Sequence, residues 1–483
     1  MEQKKKSFLK NMVGFSMVTW VSFVLGFIAS PISTRLFVPA ELAKVSLFGS
    51  YASLISSICY LGLDQAFVRF FRETPGKMTR KGLLTFCLSI ALGACVLGAL
   101  VTSFFHTTIS TEIVGQNDLV VFVCLFIYSF SLIVYRFLSL CYRMEQNPLL
   151  YTIQGVIYAL LTKIAYLSVG FASATGRSAL MMLTGLTAAF ACCLILIQRK
   201  RLDPRFPEQL SRESVRPIAS YALPLVPLSM LQWLNTYTST IVLKHLLGYE
   251  AAGIYSSALG LASTINIIQT GFNTYWAPYV LENYNNDDSR RFFTVHRLMA
   301  CMLTLFGLGI TILQAPVFLL LGRSYRSSVI FFPFLFLSPI CYCLGETTGM
   351  GITISKKTYW TTVIYLFSAV VNIGLCFFFI PQMGMPGAAL SSALTAILTL
   401  LFRTWVGERY YRVLQNYRYL LYTIGLMGVA SFGNLYLTGV WKYALLIGVL
   451  ALALYLFRRE LGTLWNTAKQ FLSALKRRKN HAG

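Results

Sequence analysis

Apolar stretches of about 20 residues recur along this chain from Met12 to Phe457, separated by short polar breaks. In an α-helix, about 20 residues at 1.5 Å rise each cross the roughly 30 Å hydrocarbon core of a bilayer. Lipid offers the backbone no hydrogen-bond partners, so such runs must form helices that satisfy their own N–H and C=O groups. Membrane β-strands would instead alternate polar and apolar residues, and these runs do not. The sequence therefore predicts an all-α integral membrane protein.

We predict about fourteen transmembrane helices, and the composition supports the membrane class. Of the 483 residues, 56% are hydrophobic and 12% are charged, roughly half the charged fraction of a soluble domain. The expected spans are 12–34, 43–63, 83–105, 118–140, 149–171, 178–198, 218–246, 252–276, 293–314, 328–350, 359–380, 386–406, 419–437 and 441–457.

The distribution of basic residues predicts the orientation of these spans. Most of the 41 Lys and Arg residues fall in alternate connections, as the positive-inside rule expects of cytoplasmic loops. The intervening connections 106–117 and 381–385 contain neither Lys nor Arg. Both termini are therefore expected in the cytoplasm. The net charge of +24 is explained by this bias, and no nucleic-acid partner is predicted.

An internal repeat predicts the domain organisation. Two short sequence segments each occur twice, at nearly the same separation: Ser33-Thr34 matches Ser239-Thr240, and Leu186-Thr187-Ala188 matches Leu394-Thr395-Ala396. Parallel halves around a midplane site are typical of transporters. We expect an N-terminal lobe of six spans (1–198), a cytoplasmic connection (199–217), a C-terminal lobe of six spans (218–406), two further spans (407–457) and a basic amphipathic tail (458–483). The tail could lie on anionic lipid or fold against the protein's own loops.

The sequence lacks the signatures of catalysis and of bound cofactors. The eleven cysteines lie mostly inside apolar runs and show no CxxC or Cys/His spacing, so neither disulfides nor a metal site is predicted. No GxxxxGK[ST] phosphate loop occurs. No connection exceeds about 20 residues, too short for a catalytic extramembrane domain. We expect no enzyme activity and no cofactor.

Ionisable residues inside spans cost on the order of 3 kcal/mol at the bilayer centre, and therefore mark candidate transport pathways. Lys163 lies near the middle of span 5 and is the strongest candidate, with Glu346 as a buried partner or proton site. For Arg136, Lys244 and Arg35, which lie nearer span ends, snorkelling to the headgroups is an equal alternative.

Uncharged polar residues form a second set of candidates. Asn266, Gln269 and Asn273 share one face of span 8, and Gln232 and Asn235 share one face of span 7. These amides could hold helices together, or they could line a cavity that receives carbohydrate hydroxyls.

The balance of buried charges bears on the substrate. Basic and amide residues outnumber acids within the spans, where Glu346 is the clear acid and Asp64 lies at a span end. A cavity of this kind favours an anionic substrate, whereas a cation exporter would be expected to place carboxylates there. Glu346 and Asp64 are the candidates for ion coupling.

A series of local motifs occurs in order along the chain. The motifs are Pro31-Ile32-Ser33-Thr34-Arg35-Leu36, Phe48-Gly49-Ser50-Tyr51, Leu61-Gly62-Leu63-Asp64-Gln65-Ala66-Phe67-Val68-Arg69, Tyr221-Ala222-Leu223-Pro224-Leu225-Val226-Pro227, Gly253-Ile254-Tyr255-Ser256, Trp276-Ala277-Pro278 and Gly384-Met385-Pro386-Gly387-Ala388-Ala389. Together they resemble the O-antigen and capsule type of lipid-linked oligosaccharide flippase, within the multidrug/oligosaccharidyl-lipid/polysaccharide exporter superfamily. The resemblance covers spans 1 to 12 and includes Arg35 and Arg69 within its motifs.

The resemblance implies a bacterial cytoplasmic (inner) membrane protein with two six-helix lobes and a central cationic cavity. Members of this family move undecaprenyl-diphosphate-linked oligosaccharides to the outer leaflet by alternating access, for O-antigen, capsule or exopolysaccharide biosynthesis. The expected partners are that lipid, the membrane lipids and other synthesis proteins such as a polymerase. Alternatives are a peptidoglycan-precursor or teichoic-acid-type flippase, a cation-coupled multidrug exporter, and a scaffold for synthesis enzymes.

Overall fold

The computed structural model describes residues 2–172, 175–284, 289–466 and 469. Within these ranges, the structure describes only the backbone of residues 2–16, 172, 264, 266–268, 270–271, 274–275, 277 and 289. Helices make up most of this described part, and no strand occurs in it. The prediction of an all-α protein is confirmed.

The chain divides into two compact units. The first comprises Met1–Ser257 together with Leu321–Tyr325. Its helices are α1 (Glu2–Leu36), α2 (Pro39–Cys59), α3 (Leu63–Phe70), α4 (Arg80–Thr102), α5 (His106–Val114), α6 (Leu119–Met144), α7 (Pro148–Ala172), α8 (Gly176–Gln198), α9 (Arg212–Ala222) and most of α10 (Leu225–Ala262).

In the first unit, α6 is packed on several sides by apolar neighbours. It contacts α2, α4, α7 and α8, and α1 packs along α7. Phe67 of α3 meets Phe137 of α6 edge to face, with ring centroids 6.5 Å apart. Both rings are fully buried, and burial of a phenylalanine side chain contributes roughly 1.5–3 kcal/mol. This core holds α3 beside the middle of α6.

Helix α10 is interrupted at Gly248, where φ is 85° and ψ is −178°. Such a backbone conformation is sterically available to glycine and costly for other residues. The interruption falls in the predicted break between spans 7 (218–246) and 8 (252–276), so two helical segments of α10 meet at Gly248.

The second unit comprises Ala258–Leu320 and Arg326–Gly483. In this unit α14 packs against both α12 and α17, and α18 packs against α12 and α19. Its helices are the end of α10, then α11 (Asn266–Asn283), α12 (Ser289–Ile312), α13 (Gln314–Leu320), α14 (Phe332–Thr348), α15 (Met350–Ile354), α16 (Tyr359–Met383), α17 (Met385–Tyr410), α18 (Arg418–Tyr436) and α19 (Gly439–Leu456).

The protein is a multi-pass membrane protein. In the described residues, 10 helices are long and apolar enough to span a bilayer, or 11 if the bent pair Arg323–Ile330 and Phe332–Thr348 forms one span. The predicted spans at 218–246, 252–276 and 419–437 also fall mainly on helices, α10, α11 and α18. The total of fourteen, the six-plus-six lobes and the cytoplasmic termini stay predictions.

The beginning of the predicted tail packs against helix α12 within the second unit. Residues 458–466 are helical, and Glu460, only 1% exposed, pairs with Arg297 of α12 at 3.2 Å. The Arg297 guanidinium also lies over the rings of Phe293 and Tyr419, 5.7 and 5.4 Å from their centroids. Residues 467–468 and 470–483, where the basic end of the tail is predicted, lie outside the described residues.

Candidate functional site

In the first unit, a buried carboxylate and a guanidinium form an ion pair between α3 and α6. Arg136 donates to Asp64 Oδ2 through a terminal nitrogen at 2.9 Å and through Nε at 3.2 Å. The Asp64 side chain is 10% exposed and the Arg136 side chain 40%. A guanidinium has five N–H donors, so three remain beyond the two that Asp64 accepts. The structure thus joins two candidates that the sequence treated separately.

Gly62 determines where Asp64 lies. It precedes α3 with φ of 72°, in the left-handed region that glycine adopts most readily. A Cβ at this position would also lie 2.9 Å from the carbonyl carbon of Ala222. The turn at Gly62 allows α3 to start close to α9 and presents Asp64 in the first turn of α3.

The second unit contains a similar pair between α14 and α17. Arg403 donates from a terminal nitrogen to Glu346 Oε1 at 2.8 Å, and their side chains are 22% and 18% exposed. Trp276 donates from Nε1 to the Glu346 carbonyl oxygen at 3.1 Å. At Gly349 an added Cβ would lie 2.5 Å from Arg403 Nε, so this glycine makes room for the guanidinium. Arg403 is the partner that Glu346 has in this unit.

Lys244 also forms an ion pair. Its Nζ donates to Glu112 Oε2 of α5 at 2.6 Å, and its side chain is 10% exposed. His245 Nε2 lies 3.3 Å from the same oxygen. The Tyr249 hydroxyl donates to the carbonyl oxygen of Thr111 at 2.9 Å. The sequence left snorkelling and function as equal alternatives for Lys244, and the structure adds a specific carboxylate partner.

Lys163 lies on α7 and is half-buried. Its Nζ is 5.6 Å from the centroid of the Tyr166 ring, a cation–π distance. Among the described residues, no acidic group forms an ion pair with Lys163. Gln154, on the same helix, is 4% exposed and donates weakly from Nε2 to the Tyr135 carbonyl oxygen at 3.4 Å.

Arg35 and Arg69, the two cations within the matched motifs, have exposed side chains. Arg35 is in the last turn of α1, and Arg69 is in the last turn of α3. The Arg69 guanidinium lies 5.9 Å from the Phe70 ring centroid. No ion pair of either residue occurs within the described part of the chain.

The predicted amide residues are divided between the two units. Gln232 is exposed, and Asn235 donates from Nδ2 to the Leu231 carbonyl oxygen within α10 at 2.8 Å. Gln269 and Asn273 are half-buried on α11. The side chain of Asn266 lies outside the described residues. A shared cavity formed by these amides stays a prediction.

The connection between α8 and α9 contains a carboxylate whose pKa is lowered. Asp203 accepts hydrogen bonds from the Arg205 backbone N–H at 3.0 Å and from Gln209 Nε2 at 2.8 Å. These donors, the backbone N–H first, favour the charged form and hold the pKa of Asp203 below its usual value. The Asp203 N–H donates to Thr85 Oγ1 at 2.8 Å, which fastens the connection to α4.

Sequence reasoning missed Arg403 and Glu112. Arg403 lies within the predicted span 386–406, so the cost of a buried charge could have identified it. Glu112 lies in a short polar connection, where no sequence signal distinguishes it from a solvated acid. Among the described residues, no group of three or more His, Cys, Asp and Glu side chains could hold a metal ion.

A family model described as "Polysaccharide biosynthesis protein" matches residues 8–284, more than half of the chain. No curated protein matches the chain at a significant level.

Solved structures of transporters share the fold at low sequence identity. The chain resembles the lipid II flippase MurJ in an inward closed conformation, with TM-score 0.64 and 16% identity over 92% of this chain and 97% of that one. It also resembles an inward-facing multidrug resistance MATE family transporter of the MOP superfamily, with TM-score 0.58 and 14% identity over 80% and 94%. At these identities the likeness establishes the fold alone.

Proposed function

Because the chain belongs to the polysaccharide biosynthesis protein family, we propose that it is a flippase for lipid-linked oligosaccharides. It would move undecaprenyl-diphosphate-linked repeat units from the cytoplasmic to the outer leaflet of a bacterial inner membrane by alternating access. The product would supply synthesis of a surface polysaccharide such as O-antigen, capsule or exopolysaccharide. The family match and the transporter fold support the transporter class, and the basic site described next supports an anionic, diphosphate-bearing substrate.

The observation that carries the proposal is the partly exposed side chain of Arg136. Its ion pair with the nearly buried Asp64 fixes two of its donors, and 40% of its side chain stays accessible. Arginine binds phosphate oxygens through parallel N–H groups, and such charge-assisted bonds are about twice as strong as neutral ones. A diphosphate could therefore bind to Arg136 without displacing Asp64.

The energetics of the proposed movement need no chemical step by the protein. An oligosaccharide cannot cross hydrocarbon unaided, because each unpaired hydroxyl costs several kcal/mol there. A polar pathway through the protein would replace water around the sugars while the prenyl chain stays in lipid. With a negative cell interior, outward movement of each anionic charge gains about 2.3 kcal/mol per 100 mV.

The ion pairs weigh against a cation-coupled multidrug exporter. Asp64 and Glu346, the acids that such a mechanism would use, each form an ion pair with an arginine. An arginine stays protonated at any physiological pH, so a transported cation would have to compete with a permanent positive charge. Flipping of a peptidoglycan precursor or a teichoic-acid-type unit involves the same lipid diphosphate chemistry, and it is the nearest alternative.

The test compares Arg136→Gln with Arg136→Lys and with a control variant, Arg143→Gln, in cells that lack the chromosomal copy. Arg143 is two turns further along α6 and is exposed. We expect Arg136→Gln to abolish surface polysaccharide and to accumulate lipid-linked oligosaccharide in the inner leaflet. Arg136→Lys should retain part of the activity, and the control should retain all of it at equal membrane abundance.

Normal polysaccharide export by Arg136→Gln would refute the role of this guanidinium. Normal lipid-linked oligosaccharide distribution in the deletion strain, together with sensitivity to cationic dyes, would instead indicate a multidrug exporter. Arrest of cell-wall synthesis on deletion, with accumulated peptidoglycan precursor, would indicate the nearest alternative.

A further inference from the structure

We propose that a row of aromatic side chains in the first unit forms a binding subsite for the sugar rings of the transported lipid. This inference rests on the proposed function and names what recognises the sugar, separately from the diphosphate. The row runs from the neighbourhood of Arg136 to the neighbourhood of Lys244 and consists of Tyr135, Tyr158, Tyr128, Tyr237, Trp233 and Tyr51.

The depth of these residues in their helices is unusual. Tyrosine and tryptophan concentrate at the two membrane–water interfaces, where the polar tip reaches water. Tyr128, Tyr158 and Tyr237 instead lie near the middle of α6, of α7 and of the part of α10 before Gly248. A phenol hydroxyl in hydrocarbon lacks partners and costs free energy. These hydroxyls therefore need polar partners at membrane depth, which Tyr128 and Tyr158 provide for each other.

The first part of the row is a stack with linked hydroxyls. The rings of Tyr135 and Tyr158 are stacked with centroids 4.2 Å apart and 19° between their planes. The Tyr158 hydroxyl lies 3.3 Å from the Tyr128 hydroxyl. Tyr135 and Tyr158 are half-buried, whereas Tyr128 is 8% exposed. This part combines accessible ring surface with a pair of hydroxyl groups that can both donate and accept.

The second part of the row continues across α10 to α2. Tyr128 lies within electrostatic range of Tyr237. The ring of Tyr237 is 5.6 Å from that of Trp233, which is 6.1 Å from that of Tyr51. Trp233 is oriented by a hydrogen bond from its Nε1 to the Ser50 carbonyl oxygen at 2.7 Å. Ring contacts therefore join α10 to α2, and Tyr128 of α6 lies within electrostatic range of them.

A cation lies near each end of the row. Tyr135 directly precedes Arg136 in α6 and interacts with its charge. At the other end, Tyr51 lies within electrostatic range of Glu112 and Tyr249, and Glu112 is the partner of Lys244. By the predicted orientation, Arg136 is nearer the cytoplasmic side and Lys244 nearer the external side.

An unsatisfied acceptor beside the stack points to a polar ligand. Gln154 is 4% exposed, and its Oε1 has no hydrogen-bond partner among the described residues. It lies one turn before Tyr158 on α7, and its Nε2 donates to the carbonyl oxygen of Tyr135. A buried acceptor without a partner has lost its hydrogen bonds to water and is destabilising. A sugar hydroxyl that donates to Oε1 would recover this free energy.

Sugar rings suit such a surface better than other polar ligands. One face of a pyranose presents several C–H bonds, which are attracted to the negative face of an aromatic ring. The hydroxyl groups at its edge exchange hydrogen bonds with tyrosine hydroxyls and with amides. A row of rings without charged members would bind successive sugars with similar strength, so it would permit the sugars to move along it.

The experiment measures binding of two lipid probes to the full-length protein in nanodiscs. One probe is undecaprenyl diphosphate, and the other is the same lipid carrying one N-acetylglucosamine. We expect Tyr158→Ala to weaken binding of the sugar-bearing probe about tenfold, equivalent to about 1.4 kcal/mol, and to change binding of the sugar-free probe less than twofold. Tyr158→Phe removes only the hydroxyl and should weaken the sugar-bearing probe about threefold.

Tyr455→Ala is the matched control, because Tyr455 is 61% exposed on α19 of the second unit. It should leave both affinities unchanged. Equal weakening of both probes by Tyr158→Phe and Tyr158→Ala would assign these residues to packing and overturn the proposal. Unchanged binding of both probes by both variants would also overturn it, while diphosphate recognition would stand. Failure of the wild-type protein to bind either probe would overturn the proposed function itself.

Discussion

Replacement of either partner in the ion pair of the second unit is expected to destabilise the protein, with different pH dependences. Glu346 and Arg403 are about four-fifths buried and joined at 2.8 Å. Glu346→Gln leaves a guanidinium without its counter-charge, and Arg403→Gln leaves a carboxylate. A carboxylate can take up a proton, whereas a guanidinium cannot lose one. The two variants should therefore respond differently to acid.

The size of each effect follows from burial. Removal of one partner from a fully buried pair costs about 3–5 kcal/mol, and we expect about 2–4 kcal/mol here because about a fifth of each side chain is exposed. A glutamate without its counter-charge can always become neutral by protonation. This limits its cost to about 4 kcal/mol at pH 7, because each pH unit above the ordinary glutamate pKa costs about 1.4 kcal/mol. At pH 5 the same limit is about 1 kcal/mol.

The assay is the free energy of unfolding in a denaturing-detergent titration at pH 7 and pH 5. The deficit of Arg403→Gln relative to wild type should fall to about 1 kcal/mol or less at pH 5. The deficit of Glu346→Gln should be the same at both values. Arg409→Gln, on the same helix α17 with an exposed side chain, is the control and should match wild type. The reasoning would be refuted if the losses in unfolding free energy of Arg403→Gln and Glu346→Gln were both independent of pH. It would also be refuted if both variants were as stable as wild type.

Two further predictions concern the first unit. Gly253→Ala should destabilise it by about 1–3 kcal/mol, because the new Cβ would lie 2.6 Å from the carbonyl carbon of Pro39. The control Gly260→Ala has open space around the new Cβ in the same helix and should be neutral or stabilising. Thermal unfolding measures both variants, and equal melting temperatures of the two would contradict the steric argument. Asp203→Asn should lower stability at pH 7, because the folded-state pKa of Asp203 is depressed and its contribution is present above the ordinary Asp value. The difference from wild type should vanish as pH falls through the folded pKa, and a difference that persists there would contradict this origin.

Much of the candidate site was visible in the sequence as single residues. Charges inside apolar runs identified Arg136, Glu346 and Lys163, because the cost of placing a charge in lipid is a property of the residue and its span. Which charge pairs with which could not be read in this way. The partners Asp64 and Arg136 are 72 positions apart, and Glu346 and Arg403 are 57 apart. Sequence reasoning therefore considered Lys163 as the partner of Glu346, and the structure pairs Glu346 with Arg403.

The aromatic row illustrates the same limit. Its members lie on α2, α6, α7 and α10, and each tyrosine alone resembles any other tyrosine in an apolar helix. Only helix packing aligns their rings, and packing depends on side-chain shapes at contacts between distant segments. The alignment of rings on different helices therefore cannot be predicted from the residue periodicity of any one helix.

The sequence by itself determined the membrane class, the all-helical architecture and most positions of the apolar helices. It could do so because a bilayer imposes one rule on every segment separately, namely that about 20 residues must satisfy their own backbone hydrogen bonds. Tertiary structure alone decided that the buried acids Asp64 and Glu346 are neutralised by arginines, and that Lys244 has Glu112 as its partner. These features depend on contacts between residues far apart in the chain, for which local hydrophobicity contains no information.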